Sequence, residues 1–233
     1  MASISAVIVA GGKGERMQAD IRKQYLVLDG LPILSRTLLA FTKISVIDTI
    51  YLVIPEDDFD FCTRQVISPV LNKVRIQLVA GGEHRQASVY NGLSAITEPN
   101  GIVAIHDGVR PFVPVRPTEE AIRCAEQEGA CILGIPVVDT LKNVDNEGCI
   151  SNTMQRVGIW QAQTPQVFQY SLIKKAHDHV LDEGYTGTDD ASLVEYLGSR
   201  VKMIYGSPYN IKITKPEDLI IARGILSHNQ VNA

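Results

Sequence analysis

Cysteines and long apolar runs are both scarce in this sequence. Its four cysteines, at positions 62, 124, 131 and 149, form no C-x-x-C pair, and its five histidines show no metal-ligand spacing. We therefore expect reduced thiols, as in a cytosolic protein, and no zinc site built by the protein. No apolar run approaches the about 20 residues that span a bilayer, and the N-terminus lacks the basic and apolar regions of a signal peptide. These absences favour a soluble cytoplasmic protein.

An excess of positive charge is also lacking. The chain carries 22 Lys and Arg against 26 Asp and Glu, a formal net charge of −4. This balance gives no electrostatic basis for binding nucleic acid or an anionic membrane, so neither is expected as a partner. An anionic substrate would have to be met by a few local cations. Hydrophobic residues make up 45% of the 233 positions, which is enough for a sizeable core.

Short apolar runs alternate with longer segments of helical periodicity. This alternation predicts an α/β fold with a doubly wound, mostly parallel sheet in a single domain, residues 1–233. The predicted strands are 4–10, 49–54, 75–79, 102–105, 130–136, 201–205 and 210–213. The predicted helices begin at Pro32 and then cover 85–96, 118–129, 170–181, 190–197 and a last helix opened by a capping box at 214–217.

The alternation is interrupted from Val137 to Ile159. Residues there have no helical periodicity and contain turn residues at 145–148, which predicts a β-hairpin arm, 137–159, projecting from the α/β body. An isolated two-stranded hairpin is only marginally stable in water. We therefore expect the arm to pack against a second subunit, which would make the protein a homodimer.

Residues 7–17, VIVAGGKGERM, are an apolar run that opens into a glycine-rich segment. The Walker pattern is excluded because no Ser or Thr follows the lysine, and the dinucleotide fingerprint is disfavoured because Met17 replaces its third glycine. The remaining phosphate-binding interpretation is a loop that wraps a nucleoside triphosphate with backbone N–H groups, while Arg16 and Lys23 supply charge. An ordinary turn with solvated cations is the alternative.

Further motifs follow this loop in order over nearly the whole chain. The set is GGKGERM (11–17), KQY (23–25), GGEHRQASVYNGL (81–93), HDGVRPF (106–112), VDTLK (138–142), WQAQTPQVF (160–168), TDDASLVE (188–195) and NIKITKPEDL (210–219). Together these motifs resemble those of the 2-C-methyl-D-erythritol 4-phosphate cytidylyltransferase family, in the sugar-nucleotidyltransferase superfamily. The resemblance implies a Rossmann-like nucleotidyltransferase fold. It also implies transfer of CMP from CTP to methylerythritol phosphate, with release of pyrophosphate, in non-mevalonate isoprenoid synthesis.

The cations in these motifs fit the chemistry of nucleotidyl transfer. Attack of a phosphate oxygen on the α-phosphorus of CTP brings two polyanions together, so positioning and charge neutralisation dominate. The resemblance implies that Arg16, Lys23 and Lys212 are the catalytic cations, and that Mg²⁺ bridges the CTP phosphates with Asp107 as its protein ligand. It assigns nucleotide binding to a further set: Ala10, Gly11, Gly12, Gly14, Gly81, Gly82, Glu83, Ser88 and Asp107. From the residues alone, Ser88 could also be an ordinary helix residue.

The second substrate needs its own cations and hydroxyl partners. The resemblance assigns its binding to Arg110, Thr140, Arg156 and Thr188. Thr140 and Arg156 lie on the predicted arm, where they can act in a neighbouring subunit's site. On sequence alone, Arg156 would be a solvated cation of the hairpin. His106, at the end of a predicted strand, is expected to be structural rather than catalytic.

Two other functions remain as alternatives. The Gly-Gly form of the first loop and the string D-x-V-R-P-F also occur in ribitol-5-phosphate cytidylyltransferases. Lys142, Ser192, Glu195 and residues 216–218 resemble the methylerythritol enzymes more. The other alternative is a nucleotide-sensing domain without turnover, and the presence of all three triphosphate-binding cations argues against it.

Overall fold

Strands and helices alternate along the chain in the computed structural model, which describes residues 3–12, 21–70, 73–98 and 100–231. The strands are β1 (Ile4–Val9), β2 (Val27–Leu28), β3 (Leu31–Pro32), β4 (Thr49–Ile54), β5 (Arg75–Ala80), β6 (Ile102–Asp107), β7 (Ala130–Pro136), β8 (Lys142–Val144), β9 (Ile150–Thr153), β10 (Trp160–Gln169) and β11 (Lys202–Tyr205). The helices are α1 (Ile33–Phe41), α2 (Phe59–Phe61), α3 (Arg85–Ser94), α4 (Val115–Glu128), α5 (Tyr170–Glu183), α6 (Asp190–Tyr196) and α7 (Pro216–Val231). A single helical turn covers Lys23–Tyr25, and α2 lies within a longer helical stretch from Glu56 to Val70.

The central sheet has seven strands in the order β11–β7–β10–β6–β1–β4–β5. Strand β1 pairs in parallel with β4 and β6, and the pairs β4–β5 and β7–β11 are parallel as well. Strand β10 runs antiparallel to both of its neighbours, β6 and β7. The doubly wound, mostly parallel sheet predicted from the sequence is confirmed.

Helices cover both faces of this sheet. On one face α1 packs Leu34, Leu38 and Phe41 into a cluster with side chains of β1, β4 and α4. On the other face Val89 and Leu93 of α3 pack with side chains of α5 and α6. Burial on both sides explains why β1 is a continuous apolar run rather than an alternating one. Within the described ranges, no helix is both long enough and apolar enough to cross a bilayer.

Two segments of the chain differ from the sequence pattern. The pattern does not mark β10 as a strand, because this strand buries Gln163, Thr164 and Gln166 in hydrogen bonds with neighbouring segments. The prediction of a strand at 210–213 is wrong, and the chain there is irregular. The Asn210 amide donates to the carbonyl of Thr164 at 2.7 Å. This side-chain hydrogen bond attaches the segment to β10, in place of the backbone hydrogen bonds that a strand would form.

The last helix is capped by a different acid from the one predicted. Because α7 begins at Pro216, its third residue is Asp218 and not Glu217. The Asp218 Oδ2 atom accepts from the backbone N–H groups of Thr214 and Lys215 at 2.7 and 2.9 Å. The capping interaction therefore exists with its acidic partner shifted by one position.

The predicted arm is present as the two-stranded hairpin β8–β9. The Asp145 carboxylate accepts from the backbone N–H groups of Glu147 and Cys149 at 3.0 and 2.8 Å, which fixes the turn. At the base of the arm, Val137 donates to the carbonyl of Ile159 at 3.0 Å. Exposed apolar side chains occur along the arm: Val138, Val144, Ile150 and Val157. Packing of this apolar surface against a second subunit stays a prediction.

Candidate active site

A cavity of about 840 Å³ lies at the carboxyl ends of the parallel strands β1, β4, β5 and β6. Its volume suits a small-molecule ligand, and its position is where doubly wound sheets bind ligands. Most residues of the predicted nucleotide site line it: Ala10, Gly11, Gly12, Lys23, Gly81, Gly82, Glu83, Ser88, Asp107 and Lys212. Gly14 and Arg16 lie outside the described residues.

Two glycine turns meet at the hydroxyl of Ser88. The Ser88 Oγ atom accepts from the backbone N–H of Gly82 at 3.0 Å, and Ser88 is buried. A Cβ at either Gly11 or Gly81 would lie 3.4 Å from this oxygen, and a Cβ at Gly82 would lie 2.5 Å from Cβ of Ala87. A side chain at Gly82 would therefore collide with α3, and a side chain at Gly11 or Gly81 would contact the Ser88 hydroxyl. The Ser88 side chain therefore attaches the turn at Gly81 and Gly82 to α3, a contact that distinguishes it from an ordinary helix residue.

The helical turn that carries Lys23 is fixed by its neighbours. The Gln24 amide donates to the carbonyl of Ala10 at 2.7 Å, which ties the turn to the end of β1. The Tyr25 hydroxyl donates to Asp58 at 2.9 Å, and Arg22 Nε lies 3.0 Å from the same carboxylate oxygen. Burial, together with the bond to Asp58, raises the pKa of Tyr25, so the hydroxyl remains a donor. Lys23 is thereby presented at the cavity on a rigid segment.

Asp107, the last residue of β6, is surrounded by cations. Its carboxylate lies 3.0 Å from Arg85 Nε, 2.9 Å from Lys212 Nζ and 3.4 Å from Arg110 Nε. Burial acts to raise the pKa of Asp107, but the charges of Arg85, Lys212 and Arg110 outweigh it and hold the pKa far below its usual range. The carboxylate is therefore ionised, and it orders the cations that face the cavity.

His106, the neighbour of Asp107, is fully buried, and both of its ring nitrogens contact other groups of the protein. Its Nε2 atom lies 3.0 Å from the carbonyl of Arg110 and its Nδ1 atom 2.9 Å from the hydroxyl of Thr164. Burial lowers the pKa of His106 to about 3, so the ring is neutral at physiological pH. A neutral ring with both nitrogens occupied has no atom left for a substrate, in agreement with the structural role expected from the sequence.

Sequence reasoning missed two charged residues of this network, Arg85 and Asp190. Arg85 lines the cavity and bridges Asp107 to Asp190, which lies at the start of α6. Arg85 lies in the motif 81–93 and Asp190 in the motif 188–195, so both could have been chosen as candidate site residues. Their ion pair could not be predicted, because nothing in either motif indicates that α3 and α6 meet.

The residues predicted to bind the second substrate are not among those that line the cavity. Arg110 is turned towards Asp107 and donates to the carbonyl of Asn210 at 2.7 Å. Thr140 and Arg156 lie on the arm, where Arg156 donates to the carbonyl of Val138, and Thr188 is exposed just before α6. The four are therefore not brought together in one described chain, and their role stays a prediction.

The side chains at the cavity could bind a magnesium ion only together with the phosphate groups of a substrate. In the described part of the chain, no three or more His, Cys, Asp or Glu side chains form a group that could hold a metal. Magnesium commonly takes one or two protein carboxylates and completes its shell with substrate phosphates and water. The ionised carboxylate of Asp107, which lines the cavity together with Glu56 and Glu83, meets this requirement.

Comparisons with known proteins identify the family of this chain. A family model described as 2-C-methyl-D-erythritol 4-phosphate cytidylyltransferase matches residues 4–228. The chain is 50% identical over 226 residues to a protein of that name from Syntrophotalea carbinolica, and 45% identical over 226 residues to another from Geotalea uraniireducens, with 96% of each chain covered in both cases. The crystal structure of 4-diphosphocytidyl-2C-methyl-D-erythritol synthase from Anaerococcus prevotii is similar with a TM-score of 0.83 at 32% identity, covering 97% of this chain and 99% of that one. This chain belongs to the 2-C-methyl-D-erythritol 4-phosphate cytidylyltransferase family.

Proposed function

We propose that this chain transfers CMP from CTP to 2-C-methyl-D-erythritol 4-phosphate, giving 4-diphosphocytidyl-2-C-methyl-D-erythritol and pyrophosphate. The observation that carries the proposal is the cavity, which is lined by two glycine pairs, by Lys23 and by the ion pair of Lys212 with the ionised Asp107. Family membership over nearly the whole chain supplies the identity of the two substrates. The product class is that of non-mevalonate isoprenoid synthesis, and a cytoplasmic location goes with it.

The reaction is an in-line displacement at the α-phosphorus of CTP. An oxygen of the acceptor phosphate forms a new bond to this phosphorus, and the bond to the bridging oxygen of pyrophosphate breaks, with the electron pair leaving on pyrophosphate. Charge grows on the equatorial and leaving oxygens. Lys23 and Lys212, with Arg16 beyond the described residues, neutralise that charge, and the backbone of the glycine turns positions the nucleoside.

Magnesium belongs to this proposal as the counterion of the triphosphate. Asp107 would hold it, and the ion would supply charge neutralisation at the phosphate oxygens. Lys212 lies 2.9 Å from the same carboxylate, so this side chain reaches both the expected metal ligand and the cavity.

The acceptor side of the site is proposed to need two chains. Arg110 and Thr188 would come from the chain that binds CTP, and Thr140 and Arg156 from the arm of a second copy. The apolar side chains exposed on the arm support a homodimer, because apolar surface of this kind favours association. Neither nucleic acid nor membrane is proposed as a partner, given the net charge of −4.

The proposal is tested by measuring pyrophosphate release and the mass of the organic product. With CTP, Mg²⁺ and methylerythritol phosphate, we expect stoichiometric pyrophosphate and the diphosphocytidyl product. Omission of the acceptor is the control, and it should stop release. Binding of CTP without acceptor-dependent release would instead assign the chain to the nucleotide-sensing alternative.

We expect CTP to be preferred over UTP by about 10- to 100-fold in kcat/KM. Cytosine carries an exocyclic amine donor where uracil carries a carbonyl, and the glycine turns offer backbone carbonyl acceptors. With UTP, the backbone carbonyl oxygens would face the uracil carbonyl oxygen, which is also an acceptor. A buried polar group without a hydrogen-bond partner costs about 1–3 kcal/mol. Steady-state kinetics with both nucleotides at equal free Mg²⁺ measures the ratio. Equal kcat/KM values would show that the turns do not recognise the base in this way.

A further inference from the structure

Asp190 is a buried carboxylate that the proposed reaction does not use. Its side chain is 1% exposed. Its Oδ2 atom lies 2.8 Å from Nη2 of Arg85, and its Oδ1 atom lies 3.4 Å from Nε2 of His177 on α5. The Nε atom of Arg85 lies in turn 3.0 Å from Oδ1 of Asp107. Asp190 is therefore connected to the cavity through one guanidinium group.

The position of Asp190 is fixed by strand β10. The side-chain oxygen of Gln166 accepts from the backbone N–H groups of Asp190 and Ala191 at 3.0 and 3.1 Å, and its amide donates to Asp189 at 2.7 Å. Asp189 also caps α6 by accepting from the backbone N–H of Ser192. The start of α6 is thus held from two directions, which fixes the backbone that carries the buried carboxylate.

The same strand fixes the other end of the connection. The Thr164 hydroxyl accepts from the backbone N–H of Asp107 at 3.2 Å. Thr164 and Gln166 belong to the motif 160–168, to which the proposed reaction gives no task. Strand β10 therefore sets the distance between the carboxylates of Asp107 and Asp190. Arg85 bridges this distance with two different nitrogen atoms, which a planar guanidinium group can do and the single nitrogen of a lysine cannot.

Both carboxylates are charged. Burial acts to raise the pKa of Asp190, but the charge of Arg85 outweighs it and keeps the pKa below the usual range. Arg85 lines the cavity, so an incoming triphosphate competes with Asp190 and Asp107 for this cation. Lys212, with 37% of its side chain exposed, has no second carboxylate partner among the described contacts and can turn towards the phosphates.

We propose that Asp190 is a positioning residue, which holds Arg85 on Asp107 and withholds it from the triphosphate. This inference rests on the proposed function. Without Asp190, Arg85 would turn to the phosphates and bind CTP in an unproductive arrangement, while Asp107 would lose its orienting partner. Ground-state binding of CTP would then be kept or strengthened, and the reaction would slow.

The test compares the isosteric variants Asp190→Asn and Asp189→Asn. For Asp190→Asn we expect kcat to fall about 10- to 100-fold, the range typical for removing a residue that orients a metal or active-site ligand. CTP affinity, measured by titration calorimetry without acceptor, should stay the same or increase. The control Asp189→Asn keeps a side-chain oxygen for the cap of α6 and leaves the bonds from the Asp190 and Ala191 N–H groups to Gln166 in place, so its kcat should remain close to that of the wild type even if its unfolding temperature falls.

Two outcomes would overturn the inference. One is weaker CTP binding by Asp190→Asn, and the other is a wild-type kcat in that variant. If Asp190→Asn does not fold, the double variant Arg85→Gln/Asp190→Asn removes the buried pair together and is compared with Arg85→Gln. Equal kcat values support action through Arg85, and a slower double variant contradicts it. Because the CTP titration needs no turnover, a failed inference is distinguishable from a failed proposed function, which would appear as absent pyrophosphate release by the wild type.

Discussion

The Lys212→Ala variant is expected to lose about 10²- to 10³-fold in kcat, the range measured when one preorganised contact to a developing oxyanion is removed. Lys212 Nζ lies 2.9 Å from Asp107 and faces the cavity. Its side chain is 37% exposed, so its removal should change the free energy of unfolding little. We expect a similar loss for Lys23→Ala and Arg16→Ala. Steady-state kinetics and thermal unfolding of each variant measure the two quantities.

Lys215→Ala is the matched control for this prediction. Lys215 is an exposed lysine of the same segment, and it does not line the cavity. Its variant should keep the wild-type kcat. Near-normal turnover of Lys212→Ala, with intact unfolding, would remove Lys212 from the residues that stabilise the transition state. The same result for Lys23→Ala would remove Lys23.

Mixing two inactive variants is expected to restore about a quarter of the wild-type activity. Arg156→Ala and Lys212→Ala homodimers should both be nearly inactive, since each lacks one cation in both sites. Unfolded together and refolded at equal amounts, about half of the dimers should be heterodimers by random pairing. Each heterodimer collects both changes in one site and leaves the other site intact. This expectation follows from the arm, where Arg156 lies outside the cavity of its own chain.

The mixing experiment needs proof that heterodimers form. Differently tagged subunits and native mass spectrometry supply it, and each variant refolded alone is the control. Recovery near a quarter supports a site shared between two chains. Heterodimers without recovered activity would show that Arg156 acts within its own chain, with the arm serving association alone.

The sheet and the glycine-rich loop after β1 could be predicted from the sequence because both depend on local pattern. A parallel strand buried on two faces is usually a nearly continuous apolar run, as β1 is. Parallel strands also place their carboxyl ends at one edge of the sheet, so the segments that follow β1 and β5 lie at the same edge. The resemblance to a family added the second glycine pair, Gly81 and Gly82, and Lys212, which lies far along the chain from either glycine pair.

The Arg85–Asp190 pair could not be predicted, because its physical basis is tertiary. An acid at the start of a helix normally interacts with solvent and with the helix N-terminus. Asp190 is instead buried by the packing of α6 on α5, and that burial makes the carboxylate require a cation. Strand β10 was missed for a related reason, since its buried residues Thr164 and Gln166 are polar.

Competition between two acceptors tests the central claim most directly. CTP and Mg²⁺ are supplied with equal amounts of methylerythritol phosphate and ribitol 5-phosphate, and the two products are quantified by mass. We expect the diphosphocytidyl-methylerythritol product to exceed CDP-ribitol by about tenfold or more, because the two five-carbon acceptors differ in branching and in one hydroxyl, and a single group in a fitted site already gives discrimination of that order. Equal amounts of the two products, or an excess of CDP-ribitol, would contradict the assignment of methylerythritol phosphate as the substrate.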